Sequence, residues 1–582
     1  MIRLQRLAVL TFFVGFSLSV SAARPQLPPA WEGAPARFDS RTYAYMPPVR
    51  IVAQDEADLI SGGDLLLEPG NGQSDLQNAR ICVLSSRDGR RPGLLLDFGR
   101  ELQGGLRIVT GMPADNRPVR VRIRFGESVS EAMCDIDGVN GASNDHAVRD
   151  FTLTLPWLGT VECGDSGFRF ARIDLLDDDR ELHLKQVEAV FQYRDIPYLG
   201  SFRSSDERLD RIWATGAYTV HLCMQEFLWD GVKRDRLVWV GDLHPEIMTV
   251  NSVFGYNEVV PRSLDLARDT TPLPGWMNGI SSYSLWWIII HSDWYRYHGD
   301  REYLAEQRPY LVALLEQVFE KIGPDGRERL DGTRFLDWPS SDDAASTAAG
   351  LQSLTILALD AGAGLCEALG DTALAAECRI RAALMRSCPV GDGGEAKQGR
   401  SLMVLAGLAD PEATDRDYIS KGGSNGFSTF YGYYMLRAMA AAGNYEGALE
   451  RIREYWGAML DLGATTFWED FDMTWVPAGM RDLHRECGAY CYKGFRHSLC
   501  HGWASGPTAW LTEYVLGVGV VEPGCRRLRI DPHLGDLEWV EGTFPTPYGV
   551  VKIRHEKAAD GTVRSRVEAP RGVKTELVKH NE

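Results

Sequence analysis

Leu311-Val-Ala-Leu-Leu-Glu-Gln-Val-Phe-Glu-Lys-Ile-Gly-Pro324 places apolar residues at Leu311, Leu314, Leu315, Val318, Phe319 and Ile322. Steps of three and four make the stripe of an amphipathic helix, and Gly323-Pro324 ends it. Outward from this stretch the same pattern recurs over about 351–388 and 428–461. Tight turns stand at Gly299-Asp300, Gly370-Asp371 and Gly443-Asn444, each with one helix entering and another leaving. Ser204-Ser205-Asp206 ahead of Glu207 marks a helix start. Regular hairpins of this kind close into a toroid or stack as an open solenoid. Of 16 tryptophans, 13 fall between 201 and 515, many in loop-like contexts. A solenoid does not need them, whereas a toroid with an aromatic-lined cleft does; packing alone explains about half of such rings. The sequence therefore predicts a helical toroid over 201–516.

On both sides the period changes to two. Val119, Val121, Ile123 and Phe125 alternate with Arg120, Arg122 and Arg124, and Phe151, Leu153 and Leu155 alternate with threonines. One apolar and one wet face, with Gly and Asp turns between, predict an N-terminal β-sandwich over 49–200. Leu528-Arg-Ile530, Val550-Val-Lys-Ile553 and Val563-Arg-Ser-Arg-Val567 predict a small C-terminal β-sandwich over 517–582. Residues 24–48, rich in proline, read as an extended arm. Residues 1–23 read as a cleavable signal peptide: Arg3 and Arg6, an apolar run from Leu7 to Val20, then Ser21-Ala22-Ala23. Export to the periplasm or the extracellular space follows, with cleavage after Ala23.

The chain has 582 residues, enough for several domains at ~150 residues each. Its net charge of −18, with no basic stripe, argues against nucleic acid as a partner. Past the leader no segment reads as a membrane span; the greasiest, Ser284–Ile290, is bounded by His291 and Asp293. Cys487, Cys491, Cys500 and His501 lack the paired spacing of structural zinc sites, so the 11 cysteines predict core thiols with one or two disulfides.

The densest polar stretch runs Trp229-Asp230-Gly-Val-Lys233-Arg234-Asp235-Arg236-Leu-Val-Trp239-Val-Gly241-Asp242. Its aspartates are five and seven residues apart; a step of five turns a helical side chain well off the starting face, so one helical stripe does not explain them and a loop entering a helix is expected. Thr465-Thr-Phe-Trp-Glu469-Asp470 sets an acid beside a tryptophan just past a helix end. Asp337-Trp338 and His501-Gly-Trp503 add a second such pair and a histidine. Sugar hydrolysis uses this combination: two carboxyls flank the glycosidic oxygen, further acids accept hydrogen bonds from hydroxyls, and flat rings stack on the sugar.

With these motifs the chain resembles the inverting α-L-rhamnosidases of glycoside hydrolase family 78, over nearly everything after residue 90. Leu96-Asp-Phe-Gly99, Arg124-Phe-Gly-Glu127, Phe202-Arg-Ser-Ser-Asp206, Ile530-Asp-Pro532 and Thr546-Pro-Tyr-Gly549 carry the flanks. The Asp230–Asp242 stretch and Thr465–Glu469 are the specific signals. The resemblance implies an (α/α)6 barrel between the two sandwiches. It also implies Asp235 as general acid and Glu469 as general base. Asp230 and Asp242 are implied as holders of sugar hydroxyls, with Arg234, Trp239, Asp337, Trp338, Trp468 and His501 around the pocket and Tyr283 in the place of a family tryptophan. Many members have glutamate at the acid position and Cys-Pro after the first aspartate; here Asp235 and Gly231-Val232 stand there. The implied reaction releases terminal α-L-rhamnose from a carbohydrate partner by single displacement and needs neither metal nor cofactor. The rival readings are another exo-glycosidase of a related α-L-sugar, a polysaccharide lyase, and a non-catalytic sugar-binding protein.

Overall fold

A computed structural model describes residues 39–77, 79–136, 139–478 and 493–578. The signal segment 1–23, most of the expected arm, and Cys487 and Cys491 lie outside these. From Arg41 onward the chain forms one unit. Its first part is a nine-stranded antiparallel sheet built on three long strands, Gly93–Thr110, Gly159–Leu175 and Glu181–Arg194. Val119–Gly126 pairs with Asp150–Leu155 in the register that sets Val121 opposite Leu153 and Ile123 opposite Phe151. The alternation seen in the sequence thus becomes one buried face, where Phe98 and Phe125 pack on Phe168. On the opposite face Arg122 pairs with Asp150 and Arg124 with Asp174.

Two boundaries differ from expectation. Arg41–Met46, assigned to the arm, is a strand paired along Glu181–Arg194. Ser201–Ser204, assigned to the helical part, pairs with Trp539–Thr546 and so joins a C-terminal sheet. Both segments are short and mixed in polarity, and a ladder edge recruits such strands through backbone hydrogen bonds that leave little mark on composition. The C-terminal part holds two small sheets, one of four strands and one of three.

Between them lie the helices, among them Glu207–Cys223, Leu243–Val253, Ser281–His298, Arg301–Glu320, Ala344–Leu369, Thr372–Ser387, Gly432–Ala441 and Tyr445–Asp461. Each of the three turns works by the same division of labour. Gly299, Gly370 and Gly443 take φ of 66°, 84° and 75°, a left-handed backbone that suits glycine at a helix end. The next residue begins the following helix: Asp300, Asp371 and Asn444 accept the N–H of Tyr303, Leu374 and Gly447. Each such cap is worth about 1 kcal/mol. Ala344–Leu369 is, contrary to the sequence reading, long and apolar enough to cross a membrane, but most of it is buried against other helices. Cys82, Cys163, Cys223, Cys366, Cys378, Cys388, Cys500 and Cys525 are free thiols, so no disulfide expected from the sequence is present among these.

Candidate active site

Residues 229–242 form an irregular loop that enters the helix Leu243–Val253, as the aspartate spacing required. Asp230 and Leu237 close the loop: the Leu237 N–H donates to Asp230 Oδ1 at 2.9 Å, and the Asp230 N–H donates to Leu237 O at 3.0 Å. At its turn Arg236 adopts φ of 60°, unfavourable for a side-chain-bearing residue. Its guanidinium lies 4.7 Å from the Trp229 ring and 3.0 Å from Asp165, contacts that hold the strained turn. Trp229 is therefore a platform for the loop.

Two successive cations of this loop point to different partners. Lys233 is buried against the first sheet's side, 2.9 Å from Glu127 and 3.4 Å from Glu131, and donates to the carbonyls of Phe495 and His497. Arg234 turns the other way. Its Nη1 donates to Asp235 Oδ1 at 2.8 Å and its Nη2 to Glu469 Oε1. One guanidinium thus joins carboxylates 234 residues apart in sequence. Trp239 Nε1, four residues along the loop, donates to Asp235 Oδ2 at 3.1 Å. Of the five carboxylates read from the sequence, Asp235 keeps the most open edge, with 12% of its side chain exposed against 4% for Glu469.

Glu469 is fixed from several sides. The Ser498 N–H donates to Oε2 at 3.1 Å, and Thr429 and Trp503 donate to its carbonyl. Burial, the largest single influence, raises its pKa, but the charge of Arg234, the charges of His501 and His497 and the Arg234 hydrogen bond together outweigh it and bring it to about 2. The two histidines are themselves lowered to about 4 by burial, so near neutrality Arg234 carries the effect.

The remaining acids sit deeper. Tyr283 Oη donates to Asp242 Oδ1 at 2.7 Å, and His501 Nε2 lies 3.6 Å from Asp230 and 3.9 Å from Asp242. Burial, then neighbouring carboxylates, push both aspartates well above the ordinary range. Asp337 is raised to about 6 by burial, against donation from Ser428 and from Gln398 at 3.2 Å. Trp338 packs on Phe335 at 4.9 Å, and Phe335 reaches Tyr283. Trp468 stacks edge-on against Phe471 and His497 and makes no polar contact with the acids.

The structure so gathers Asp230, Arg234, Asp235, Trp239, Asp242, Tyr283, Glu469 and His501 directly, with Asp337 close enough for its charge to act on Asp242. Four participants were missed. His146, from a loop of the first sheet, puts Nε2 3.4 Å from Asp235 Oδ1. Ser428 and Gln398 hold Asp337, and Glu246 lies fully buried one helical turn past Asp242. Only Glu246 had a local signal, four residues on from Asp242 along a helix.

A family model described as the bacterial alpha-L-rhamnosidase 6 hairpin glycosidase domain matches residues 197–379, and one for the bacterial alpha-L-rhamnosidase C-terminal domain matches 517–581. The chain resembles glycoside hydrolase family 78. Among solved structures, a family 78 rhamnosidase of Bacillus sp. GL1 superposes with a TM-score of 0.72 at 23% identity, over 88% of this chain and 55% of that one. A Klebsiella oxytoca rhamnosidase with rhamnose bound gives 0.64 at 22% identity, over 81% and 95%. These likenesses establish the fold. The curated relative, an alpha-L-rhamnosidase of Alteromonas sp. (strain LOR), is 22% identical over 83% of this chain, which spans 55% of that relative's length. Arg234 and His146 both contact Asp235, in the loop that also carries Gly231-Val232.

Proposed function

We propose that this chain is an exo-acting, inverting α-L-rhamnosidase. The observation that carries the reading is the Arg234 guanidinium shared by Asp235 and Glu469, beside a nest of protonation-prone acids. Environments that push carboxyl groups apart in acidity assign roles. Glu469, held ionised, is suited to take a proton from water. Asp235, at the open edge, is suited to protonate the departing oxygen. Asp230, Asp242 and Asp337, with Tyr283 and His501, line the inner end and offer acceptors and donors to sugar hydroxyls. Trp239, Trp338 and Trp468 contribute the surrounding wall.

In this reaction the glycosidic C–O bond breaks as Asp235 gives its proton to the leaving oxygen, and water attacks the anomeric carbon from the opposite face as Glu469 takes its proton. The catalytic carboxyls then stand ~6.5–9.5 Å apart, with room for that water, and the product has inverted configuration. The helices close as an (α/α)6 barrel around this centre, and residues 1–23 direct the protein out of the cytoplasm. The rhamnose-bound relative supports the sugar, and the described "6 hairpin" domain supports the barrel.

The test is incubation with nitrophenyl glycosides and a rhamnose-bearing glycan, with the first product followed by NMR. Release of β-L-rhamnose is expected. Glu469→Gln should lower kcat by about 10³-fold or more. Asp235→Asn should fall as far on poor leaving groups while binding rhamnose almost unchanged. First release of the α anomer, an unsaturated product, or no cleavage of any rhamnoside would each defeat the reading.

A further inference from the structure

His146 lies outside every motif that marked the site, yet it reaches Asp235 from the first sheet. Its loop is built rather than loosely hung. Asn144 Oδ1 accepts the N–H groups of Arg149 and Asp150 at 2.9 and 3.1 Å, and its Nδ2 donates to Asp150 O at 2.8 Å. Arg149 donates to the Ser143 carbonyl and pairs with Glu131. Gly141, at φ of 84°, is pressed so closely on the 493–496 backbone that a Cβ there would stand 2.5 Å from Lys493 O. The Phe495 N–H donates to Asn140 O at 2.9 Å. The loop is thereby tied to the segment whose Ser498 holds Glu469.

We propose that this loop forms the side of the pocket where the leaving group departs, and that His146 there selects a hydroxyl-bearing sugar over a flat aromatic group. The inference rests on the proposed rhamnosidase reading and adds the substrate class. Asp235 must face the scissile oxygen; the acids that hold rhamnose lie inward of it, so what touches it from outside borders the leaving group. Outside are His146, Asp145 and Arg496. His146 Nε2 is 3.6 Å from Asp145 and accepts from Arg496 Nη2 at 3.2 Å, while Asp145 and Arg496 form an ion pair. The other ring nitrogen, Nδ1, meets no protein partner among the described residues, and a quarter of the side chain is exposed. A hydroxyl can both donate to and accept from such a rim. A flat apolar ring would instead cover the Asp145–Arg496 pair and strip its water without replacing those hydrogen bonds. The small hollow beside His146, about 10 Å³, is lined among the described residues mostly by polar and charged groups, and the Phe495 ring there is buried.

The test uses Glu469→Gln, which leaves Asp235 and His146 in place, and calorimetric titration with rhamnose, a rhamnosyl-glucose disaccharide and nitrophenyl rhamnoside. The silenced protein should bind the disaccharide most tightly. Adding His146→Ala should weaken the disaccharide about tenfold, the loss of one or two hydrogen bonds, and leave rhamnose and the nitrophenyl ligand within about twofold. His146→Gln, which keeps a donor and an acceptor, should recover part of the loss. An unchanged disaccharide affinity overturns the inference. So does an equal loss on all three ligands, which would make His146 a merely structural residue. Failure of the silenced parent to bind rhamnose at all points elsewhere: it removes the rhamnosidase reading itself.

Discussion

Two buried charge clusters meet across the loop 229–242, and they are built on opposite principles. Toward the first sheet, Lys233 and Arg149 contact Glu127 and Glu131, with Glu101 buried beside Glu127 as a third acid, so the acids there stand against cations. Toward the helices, Asp230, Asp242, Glu246, Asp337 and Glu469 are buried, and among the described residues Arg234 contacts only the last of them. Matched buried ions hold a structure in register; unmatched buried acids weaken it and persist where they serve a ligand. The adjacent residues Lys233 and Arg234 divide these tasks, one anchoring the loop and the other tuning its chemistry.

The largest effect expected from breaking this contrast is on the matched side. Lys233→Met leaves two carboxylates buried without their shared ammonium. Loss of one member of a buried pair costs about 3–5 kcal/mol. Urea unfolding should show that loss, and the protein that remains folded should keep near-normal KM. A stability change under 1 kcal/mol would mean that the matched cluster is not structural.

How much of this contrast the sequence carried depends on distance along the chain. Asp230, Asp235, Trp239 and Asp242 were legible because a loop of 14 residues holds them all, and its tryptophans do not suit a solvated loop. Glu469 was legible only through family resemblance, since an acid beside a tryptophan past a helix end is equally often core. The helix hairpins were legible because glycine and its following aspartate or asparagine state both the end and the beginning. His146, Gln398 and Ser428 were not legible, since each acts through a contact spanning 61 to 91 residues that no local period encodes. The arm strand Arg41–Met46 and the exchanged strand Ser201–Ser204 failed for the same reason: their pairing partners are 143 or more residues away.

A middling effect is expected at Arg234. Glu469 has its folded pKa depressed to about 2, so its ion pairing contributes stability above the ordinary carboxylate value near 4.5, lost as pH falls through about 2. Arg234→Gln leaves burial as the dominant influence, which raises that pKa instead. The acid limb of the kcat/KM profile should then move up by about two pH units. The stability deficit of the variant should be full near neutrality and shrink as pH falls below about 4. An acid limb that stays in place would show that Arg234 does not hold the base ionised, and the proposed division between Lys233 and Arg234 would fail.

The smallest effect is expected at Glu246, and it tests whether the unmatched acids are unmatched in fact. Its carboxyl has no exposed surface, and neither oxygen has a hydrogen-bond partner among the described residues. A side chain at Gly502 would place its Cβ 2.2 Å from Glu246 Cδ, so the glycine leaves the acid its space. Burial first, then the Cys223 thiol and the charges of Asp242 and Asp230, raises its pKa well above the ordinary value. A raised folded pKa means stability fully present below the unfolded value near 4.5 and lost as pH rises through the folded one. Glu246→Gln removes that loss without changing volume. Its Tm should match the parent at pH 4 and exceed it by about 1–3 °C as pH rises, levelling once the parent's Glu246 is ionised. Melting curves that stay parallel from pH 4 to 9 would mean that Glu246 finds a cation or a donor of its own, and the pocket would then be balanced in the way the Lys233 cluster is.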